Sequence, residues 1–228
     1  MRPLAALVLL GSVLFAQDVR RVASPDGQLE FRIFETQSER GGLSRLAYRI
    51  LRQGKPLVDT SFLGFNIHNQ EPFLGENVGL LESRTSESGR ARCLVAHYMQ
   101  NGSIGRLLDV EARVWNDGVA FRYVIPRSTA LEEILIDDEL TEFNLGGNAA
   151  KAPLPFSNGT VWIAEAPRAP YPAVTLGSRE PGVWTTFLVR PYPDAVTAFE
   201  TRSPLTSPWR IVAIADPGPI LAELRAER

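Results

Sequence analysis

The stretch Arg113-Val-Trp-Asn-Asp-Gly-Val-Ala-Phe-Arg-Tyr-Val-Ile-Pro126 decides the fold class of this chain. Residues 108–114 alternate apolar and charged side chains, and residues 119–125 again place large apolar side chains at every second position. This period of two is typical of strands that bury one face. Between them, Asn116-Asp117-Gly118 tolerates the positive φ of a tight turn, and Pro126 has no N–H to continue a ladder. The stretch therefore predicts an antiparallel β-hairpin at the centre of a β protein.

The rest of the chain favours the same class. Its 228 residues include 17 prolines and 18 glycines, and long helical patterns are few. Apolar segments separated by turn residues predict further strands, among them Gln28–Glu35, Arg92–Tyr98, Val161–Ala166, Val183–Arg190, Ala195–Thr201 and Trp209–Ala215. The composition therefore predicts an all-β domain.

Three other segments carry weaker signals. The polar segment Asn69–Ser88 is predicted to be loop with a short strand near Leu80. Gly146–Asn158 is rich in small residues and proline and is also predicted to be a loop. Pro219–Arg228 is predicted to begin a helix, because proline suits a first turn and Ile220, Leu221 and Leu224 share one face.

Charge and the N-terminus bound the location and the partners. The net charge is −2 with both signs interspersed, which argues against nucleic-acid binding. Arg2 followed by the apolar run Leu4–Phe15 predicts a signal peptide cleaved after Ala16. That run is shorter than the roughly 20 residues that span a bilayer, and no later segment is long enough. We expect a periplasmic or secreted protein with no membrane segment after cleavage. Cys93 is the single cysteine and is expected to be a small buried apolar residue.

Several short motifs occur in a fixed order along the chain. They are Ser24-Pro25-Asp26-Gly27, Ser61-Phe62-Leu63-Gly64, Arg113–Tyr123, Glu139-Leu-Thr-Glu-Phe143, Trp162-Ile-Ala-Glu-Ala166 with Tyr171-Pro172, and Ser207-Pro-Trp-Arg-Ile211. Together they resemble the N-terminal domain of glycoside hydrolase family 97. The resemblance implies a single-domain β-supersandwich of two large antiparallel sheets, similar in architecture to galactose mutarotase. This domain would cover residues 17–217, after a signal peptide at 1–16 and before a tail or truncated linker at 218–228.

The resemblance also implies which chemistry to expect. In that family a catalytic (β/α)₈ barrel follows this domain, supplies the general acid and the base or nucleophile, and hydrolyses α-glucosides or α-galactosides with calcium. Only 18 residues follow Arg210, whereas such a barrel takes at least about 200 residues. Glycoside hydrolysis needs two carboxylates that flank the scissile bond. We therefore assign no catalytic residue and expect no hydrolysis by this chain alone.

Glu165 matches the position of the glutamate that, in the family, reaches the calcium ion from the N-terminal domain. Calcium takes roughly 6–8 oxygen ligands, so one carboxylate is an incomplete shell. The resemblance thus implies calcium only together with a catalytic partner domain, and otherwise no cofactor. The alternative is a glutamate at a strand end that faces solvent.

Other chemistry-bearing residues point to no site. The acidic residues Asp137, Asp138, Glu139 and Glu142 are predicted to form a solvated face rather than a metal site. His68 and His97 are far apart in sequence and lack metal-ligand spacing. A His/Glu pair of the mutarotase type remains an alternative, disfavoured because the motifs match the glycosidase module.

Aromatic residues and one arginine leave their roles open. The aromatic side chains that offer flat faces to a sugar ring are Trp115, Trp162, Trp184, Trp209, Tyr98, Tyr123 and Tyr171, but most are predicted to belong to the core. No carbohydrate-binding residue is assigned. Arg122 points away from the face of Phe121 and Tyr123, and a surface role and a contact with a partner domain both remain open.

We therefore predict an exported, carbohydrate-associated module that binds carbohydrate or a glycosidase barrel domain and is not hydrolytic alone. One alternative is a subunit of a split α-glucosidase or α-galactosidase that donates Glu165 to a calcium site. Another is a truncated gene product with a stable fold and no function.

Overall fold

The computed structural model describes residues 19–37, 42–102, 105–146 and 152–226. The predicted signal peptide at 1–16 and part of the predicted loop at 146–158 lie outside the described residues.

The described residues form twenty β-strands and one α-helix. The strands of the first half are β1 (Arg20–Ala23), β2 (Leu29–Gln37), β3 (Ser44–Arg52), β4 (Lys55–Phe62), β5 (Phe65–Ile67), β6 (Gln70–Leu74), β7 (Val78–Ser88), β8 (Ala91–Gln100), β9 (Leu107–Val114) and β10 (Gly118–Ile125). The second half contains β11 (Glu133–Glu139), β12 (Glu142–Asn144), β13 (Ala152–Pro153), β14 (Phe156–Ser157), β15 (Trp162–Ala166), β16 (Val174–Glu180), β17 (Val183–Leu188), β18 (Phe199–Arg202), β19 (Leu205–Thr206), β20 (Trp209–Ala213) and α1 (Gly218–Ala226).

Two large antiparallel sheets dominate the fold. The first sheet has the order β1-β2-β3-β4-β12-β17-β16-β13, and the second has the order β14-β15-β20-β10-β9-β8-β7, with β19 also paired to β10. A smaller sheet, β18-β11-β5-β6, was not predicted. The prediction of an all-β protein with two large antiparallel sheets is confirmed.

The predicted central hairpin is β9 and β10, and it supplies the core of the sandwich. Its strands pair in register from Val114 opposite Val119 to Asp109 opposite Val124. The inward face packs on the first sheet, where the ring of Phe121 lies 5.8 Å from that of Phe31 and 4.8 Å from that of Tyr48. Burying such large apolar side chains contributes roughly 1.5–3 kcal/mol each, so the alternation read from the sequence is what joins the two sheets.

The polar segment 69–88 is a correction to the sequence analysis, which predicted loop with only a short strand near Leu80. It contains β6 and the long strand β7, which pairs with β8 from Val78 opposite Gln100 to Ser88 opposite Ala91. β7 is the last strand of its sheet and most of its side chains are exposed. It therefore lacks the apolar alternation by which strands are recognised. The prediction for Cys93 is confirmed, because the thiol is buried.

Helix α1 confirms the helix predicted near Pro219 and packs on the outer face of the second sheet. Ile220 and Leu224 are buried there among small side chains and two tryptophans: Trp115, Ala120, Ala164, Ala166, Trp209, Ile211 and Ala213. Glu223 Oε2 also accepts hydrogen bonds from Trp115 Nε1 at 2.7 Å and Arg90 Nη2 at 3.1 Å. Among the described residues, no helix has the length and apolar character needed to cross a bilayer.

The turn of the central hairpin differs from the prediction in its mechanism. Neither Asn116, Asp117 nor Gly118 has a positive φ, so turn conformation does not explain the glycine. A Cβ atom on Gly118 would lie 2.9 Å from the Val212 carbonyl oxygen, 3.1 Å from Ala213 Cα and 2.7 Å from Ile220 Cδ1. The absence of a side chain thus allows β20 and α1 to approach β10 closely.

We expect Gly118→Ala to destabilise the fold by about 1–3 kcal/mol, because the added methyl group overpacks this contact. The free energy of unfolding in urea measures the effect. Gly79→Ala is the matched control: this strand glycine meets only the side chain of Asn101, at 3.3 Å, and we expect it to be close to neutral. Equal effects of the two substitutions would contradict the explanation.

Candidate functional site

A buried ionic network lies on the core-facing side of the second sheet. In β20, Trp209 and Ile211 belong to the cluster under α1, whereas Val212 belongs to the main core. Arg210 alternates with Trp209 and Ile211 and therefore points inward. Glu165 is paired with Arg210 across β15 and β20 and shares that face. Strand alternation thus places two charged side chains inside the sandwich.

Glu139, at the end of β11, is the anion that balances Arg210. Arg210 Nε donates to Glu139 Oε1 at 2.8 Å and Arg210 Nη2 donates to Oε2 at 2.5 Å. Thr141 Oγ1 donates to Oε1 at 2.7 Å and the Tyr171 hydroxyl donates to Oε2 at 2.6 Å. Both charged side chains are 0% exposed. The carboxylate therefore exchanges its water for a complete set of charge-assisted hydrogen bonds.

Glu165 shares the same guanidinium. Arg210 Nη1 donates to Glu165 Oε2. The side chain of Glu165 is 10% exposed. The network continues to Tyr123, whose hydroxyl lies 2.7 Å from Thr141 Oγ1. Because Thr141 gives its proton to Glu139, Tyr123 is the donor in that bond.

The pKa values of Glu139 and Glu165 are shifted in opposite directions. Burial alone raises the pKa of Glu139, but the charge of Arg210 and the hydrogen bonds from Arg210, Tyr171 and Thr141 outweigh it and hold the pKa below the ordinary value. Burial raises the pKa of Glu165, and the single bond to Arg210 only partly offsets that rise. Burial lowers the pKa of Arg210, but the two carboxylates outweigh this and raise it. The surroundings thus favour the ionised form of Glu139 beside Arg210, whereas those of Glu165 favour its protonated form relative to water.

The network corrects the prediction for the acidic residues. Glu139 was expected on a solvated face and is fully buried. Asp138 accepts from the backbone N–H groups of Glu139 and Leu188, each at 3.0 Å. Asp137 pairs with His68 Nδ1 at 3.0 Å. Glu142 accepts from the backbone N–H of Phe62 at 3.0 Å. Each of these carboxylates binds at least one protein group that is far away in sequence, so the composition of the segment alone does not reveal its environment.

The calcium role of Glu165 does not fit this chain by itself. Among the described residues, no three His, Cys, Asp or Glu side chains lie close enough to hold a metal ion. The carboxylate of Glu165 also binds a guanidinium, so the alternative of a strand-end glutamate that faces solvent is wrong. Glu165 as one ligand of a shell completed by another domain stays a prediction.

The remaining predicted candidates are dispersed. His97 pairs with Asp109 at 2.9 Å on the second sheet, whereas His68 borders the small sheet, so the two histidines do not share a site. Arg122 binds Glu111 Oε2 at 2.7 Å and lies 4.3 Å from the ring of Trp209. Of the aromatic residues considered for sugar stacking, Trp162 is the exposed one, at 37%.

An apolar groove was missed by the sequence analysis. The connection between β17 and β18 borders a groove of about 650 Å³, whose walls include Pro170, Pro172, Val189, Tyr192, Val196 and Phe199. Three residues of the groove are largely exposed, Val189 at 48%, Tyr192 at 62% and Val196 at 70%. The segment Ala195–Thr201 was predicted to be a strand, but β18 begins at Phe199. Apolar residues read as strand interior are therefore groove walls.

Arg190 and Tyr171 fix the shape of this groove. Arg190 Nη1 donates to the carbonyl oxygens of Ala195 at 2.6 Å and Val196 at 2.9 Å, which closes the connecting loop. The ring of Tyr171 packs 5.4 Å from that of Phe199. Because the hydroxyl of Tyr171 binds Glu139, one side chain joins the groove to the ionic network.

Comparison with known proteins gives a family and a fold. The glycosyl-hydrolase 97 N-terminal family matches residues 22–156, and no curated protein matches. A variant of a glycoside hydrolase family 97 enzyme from Pseudoalteromonas sp. strain K8 has a similar fold, with a TM-score of 0.73 and 22% identity over 86% of this chain and 36% of that one. A structure from the same strain, of a family 97 enzyme in complex with acarbose, has a TM-score of 0.72 with the same identity and coverage.

A further similar structure is a beta-arabinopyranosidase, with a TM-score of 0.68 and 18% identity over 86% of this chain and 40% of that one. The chain therefore spans little more than a third of the length of the enzymes whose fold it shares.

The opposite pKa shifts predict opposite pH dependences for two conservative variants. Ionised Glu139 stabilises the fold above the ordinary glutamate pKa of 4.5, and this is lost as the pH falls through its lower folded value. Glu165 has a raised folded pKa, so its contribution to stability is fully present below pH 4.5. This contribution is lost as the pH rises through the higher folded pKa.

We therefore expect the stability deficit of Glu139→Gln to grow with rising pH and to reach about 3–5 kcal/mol at neutral pH. The deficit of Glu165→Gln should shrink over the same range, because the raised folded pKa of Glu165 makes its contribution disappear as the pH rises. Urea unfolding followed by tryptophan fluorescence between about pH 3 and pH 8 measures both. Tyr171→Phe, which removes one hydrogen bond to Glu139, provides a milder version of the first variant. Parallel pH profiles for Glu139→Gln and Glu165→Gln would contradict the assignment.

Proposed function

Because the chain belongs to the glycosyl-hydrolase 97 N-terminal family, we propose that it is a non-catalytic module that docks onto a glycosidase catalytic domain. The observation that carries the proposal is the apolar groove beside the ionic network. Exposed apolar side chains grouped along one concave surface are typical of a protein interface. Tyr192, the largest of them, is of a type enriched at the centres of interfaces.

The contacts around the groove favour docking without rearrangement. Arg190 binds two carbonyl groups of the loop that presents Tyr192 and Val196. Tyr171 connects the groove wall at Phe199 to the buried pair of Glu139 and Arg210. A surface that is already ordered loses little conformational entropy on binding. The partner that fits is a folded domain that offers a complementary apolar surface, and a family 97 barrel is the class that the family membership suggests.

Docking onto a glycosidase domain would make the module part of an exported enzyme. The predicted signal peptide at 1–16 supports a periplasmic or secreted location. A calcium ion would enter only with the catalytic domain, and Glu165 is the residue of this chain that would approach it. To bind that ion, the carboxylate of Glu165 would have to exchange its hydrogen bond from Arg210 for a bond to the metal.

Weak carbohydrate binding is a second candidate function, supported by the exposure of Trp162 and Tyr192. Flat aromatic faces with one exposed side are suited to a sugar ring, whereas the other tryptophans are buried. Titration with maltooligosaccharides and α-galactosides tests this candidate, with Trp162→Ala and Tyr192→Ala as the variants. Binding that survives both substitutions would exclude these residues as the platform.

We expect the purified chain to release no nitrophenol from nitrophenyl α-glucoside or nitrophenyl α-galactoside. The physical reason is that Glu139 is fully buried and Glu165 is bound to Arg210, so neither is placed as one of two carboxylates around a glycosidic bond. The assay is absorbance with the Glu165→Gln variant as control. Sugar release that persists in this variant would reveal a catalytic site elsewhere.

We expect a stable complex when the chain is co-expressed with a separately encoded family 97 barrel domain. Size-exclusion chromatography and titration calorimetry measure the complex, which should bury more than about 1,000 Å². Tyr192→Ser and Val196→Ser should weaken binding at least about tenfold.

Leu81→Ser is the matched control for these variants. Leu81 is also an exposed apolar residue, at 56%, but it lies on β7, away from the groove. A complex that is weakened equally by all three variants would place the interface elsewhere, and absence of any complex would contradict docking.

A further inference from the structure

A polar cavity of about 380 Å³ lies between the first large sheet and the small sheet. Its volume is in the range of roughly 300–1,000 Å³ that is usual for small-molecule sites. It shares Arg190 with the apolar groove and no other residue. The walls include Arg45 of β3, Glu142 of β12 and Thr185 of β17 on one side, and Asn66 of β5, Phe73 of β6 and Asp137 of β11 on the other.

The hydroxyl of Thr185 lines this cavity without a hydrogen bond to the protein. Thr185 is 2% exposed, and its side chain bonds to none of the described residues. The next residue, Thr186, by contrast donates its hydroxyl to the carbonyl oxygen of Glu139 at 3.0 Å. A buried hydroxyl that is left unpaired costs free energy. Thr185 is therefore a buried polar group that a ligand in the cavity would satisfy.

Arg45 brings further donors to the same cavity. Its guanidinium packs 4.2 Å from the centre of the Phe62 ring. Its two ion pairs are longer than hydrogen bonds, because Glu76 Oε1 lies 3.7 Å from Nε and Glu142 Oε1 lies 4.0 Å from Nη1. Arg45 Nε is buried and has no hydrogen-bond partner among the described residues. Packing thus holds the guanidinium in place, while its hydrogen-bonding capacity is not used by the fold.

Asp137 and Asn66 supply polar groups from the opposite wall. The two carboxylate oxygens of Asp137 lie 3.0 Å and 3.2 Å from His68 Nδ1, which orients the side chain. An ionised carboxylate has about four lone-pair sites, so this contact leaves acceptors for a ligand. Asn66 is half-buried on β5, and its side-chain amide bonds to no residue in the described part of the chain. The two walls therefore present both donors and acceptors.

We propose that this cavity binds a neutral polyhydroxylated ligand of the size of one sugar ring. A hydroxyl group donates one hydrogen bond and accepts two, so it matches walls that hold guanidinium, amide, hydroxyl and carboxylate groups. Acidic and basic side chains both line the cavity, which disfavours a charged ligand of either sign. Within the described ranges, no cluster of carboxylates could hold a metal ion there. Phe73 adds an apolar surface for the C–H face of a sugar ring.

The inference rests on carbohydrate binding, the second candidate function, and gives the sugar a different position. The cavity contains neither Trp162 nor Tyr192, the exposed aromatic residues of that candidate. It does not depend on docking to a catalytic domain.

The test uses the full chain labelled with ¹⁵N at slightly acidic pH. Glucose and galactose are titrated as neutral probes, and glucosamine and glucuronate as probes of similar size that carry a charge. The backbone N–H signals of Asn66 and Thr185 report on the two walls. We expect saturable shifts at both positions with at least one neutral sugar, with a Kd of about 10 mM or tighter, and weaker binding of both charged sugars.

Thr185→Val removes the hydroxyl and keeps a side chain of similar size. Because this hydroxyl bonds to none of the described residues, we expect an unchanged or higher melting temperature, while the affinity for the neutral sugar falls about tenfold. Thr175→Val is the matched control, because Thr175 is a half-buried threonine of the neighbouring strand β16 that does not line the cavity. Its affinity should equal that of the unmodified chain. Asn66→Ala tests the opposite wall and should also weaken binding.

The aromatic variants separate this cavity from the other candidate position. Trp162→Ala and Tyr192→Ala should leave the binding unchanged; binding that is lost in them and kept in Thr185→Val would exclude the cavity and favour the aromatic residues. Absence of saturation with every sugar would contradict carbohydrate binding by this chain as a whole. The proposal is also overturned if a charged sugar binds more tightly than both neutral ones, or if Thr185→Val and Thr175→Val behave alike.

Discussion

The ion pair between Arg210 and Glu139 is the contact on which the arrangement of this molecule depends. Neither charge reaches solvent, and an unpaired charge in that position would cost several kcal/mol. The pair joins the end of β11 in the small sheet to β20 in the second large sheet. Through Tyr171 the pair also contacts Phe199 in the wall of the apolar groove. Through Thr141 it is connected to Tyr123 of the central hairpin. One satisfied pair thus coordinates elements that have no continuous ladder between them.

The sequence predicted the parts of the fold that follow from local periodicity. The alternation is visible because buried side chains alternate with partly exposed ones along β9, and along β10 from Phe121 onward. The network was not predictable in the same way, because Glu139 and Arg210 are 71 positions apart and burial of an acidic run depends on what folds over it. The motifs that carry the family resemblance nevertheless contain Glu139, Thr141, Glu165, Tyr171 and Arg210. Their polar residues meet at one place, which gives a physical reason for their co-occurrence in one chain.

The second large sheet uses its two faces differently, and this explains where the functional surfaces lie. Its inner face provides the core and the ionic network, while its outer face is covered by α1 and by arginines stacked on Trp209. At Gly118, strand β10 lies close both to β20 and to the helix α1, and only a residue without a side chain leaves room for both contacts. Turn chemistry suggested a different reason for this glycine. The groove, by contrast, is built by the loop between β17 and β18, where apolar residues are surface and not core.

The composition of β7 has a further consequence. This strand ends the second sheet, and its outer backbone N–H and C=O groups are a template to which a strand from another molecule could add. Glu82, Arg84 and Glu87 alternate along it with small hydroxyl side chains, and charges on a free edge oppose such addition. The polarity that made this strand invisible to pattern analysis is therefore a protection against self-association, and an apolar replacement there would endanger solubility before it changed the fold.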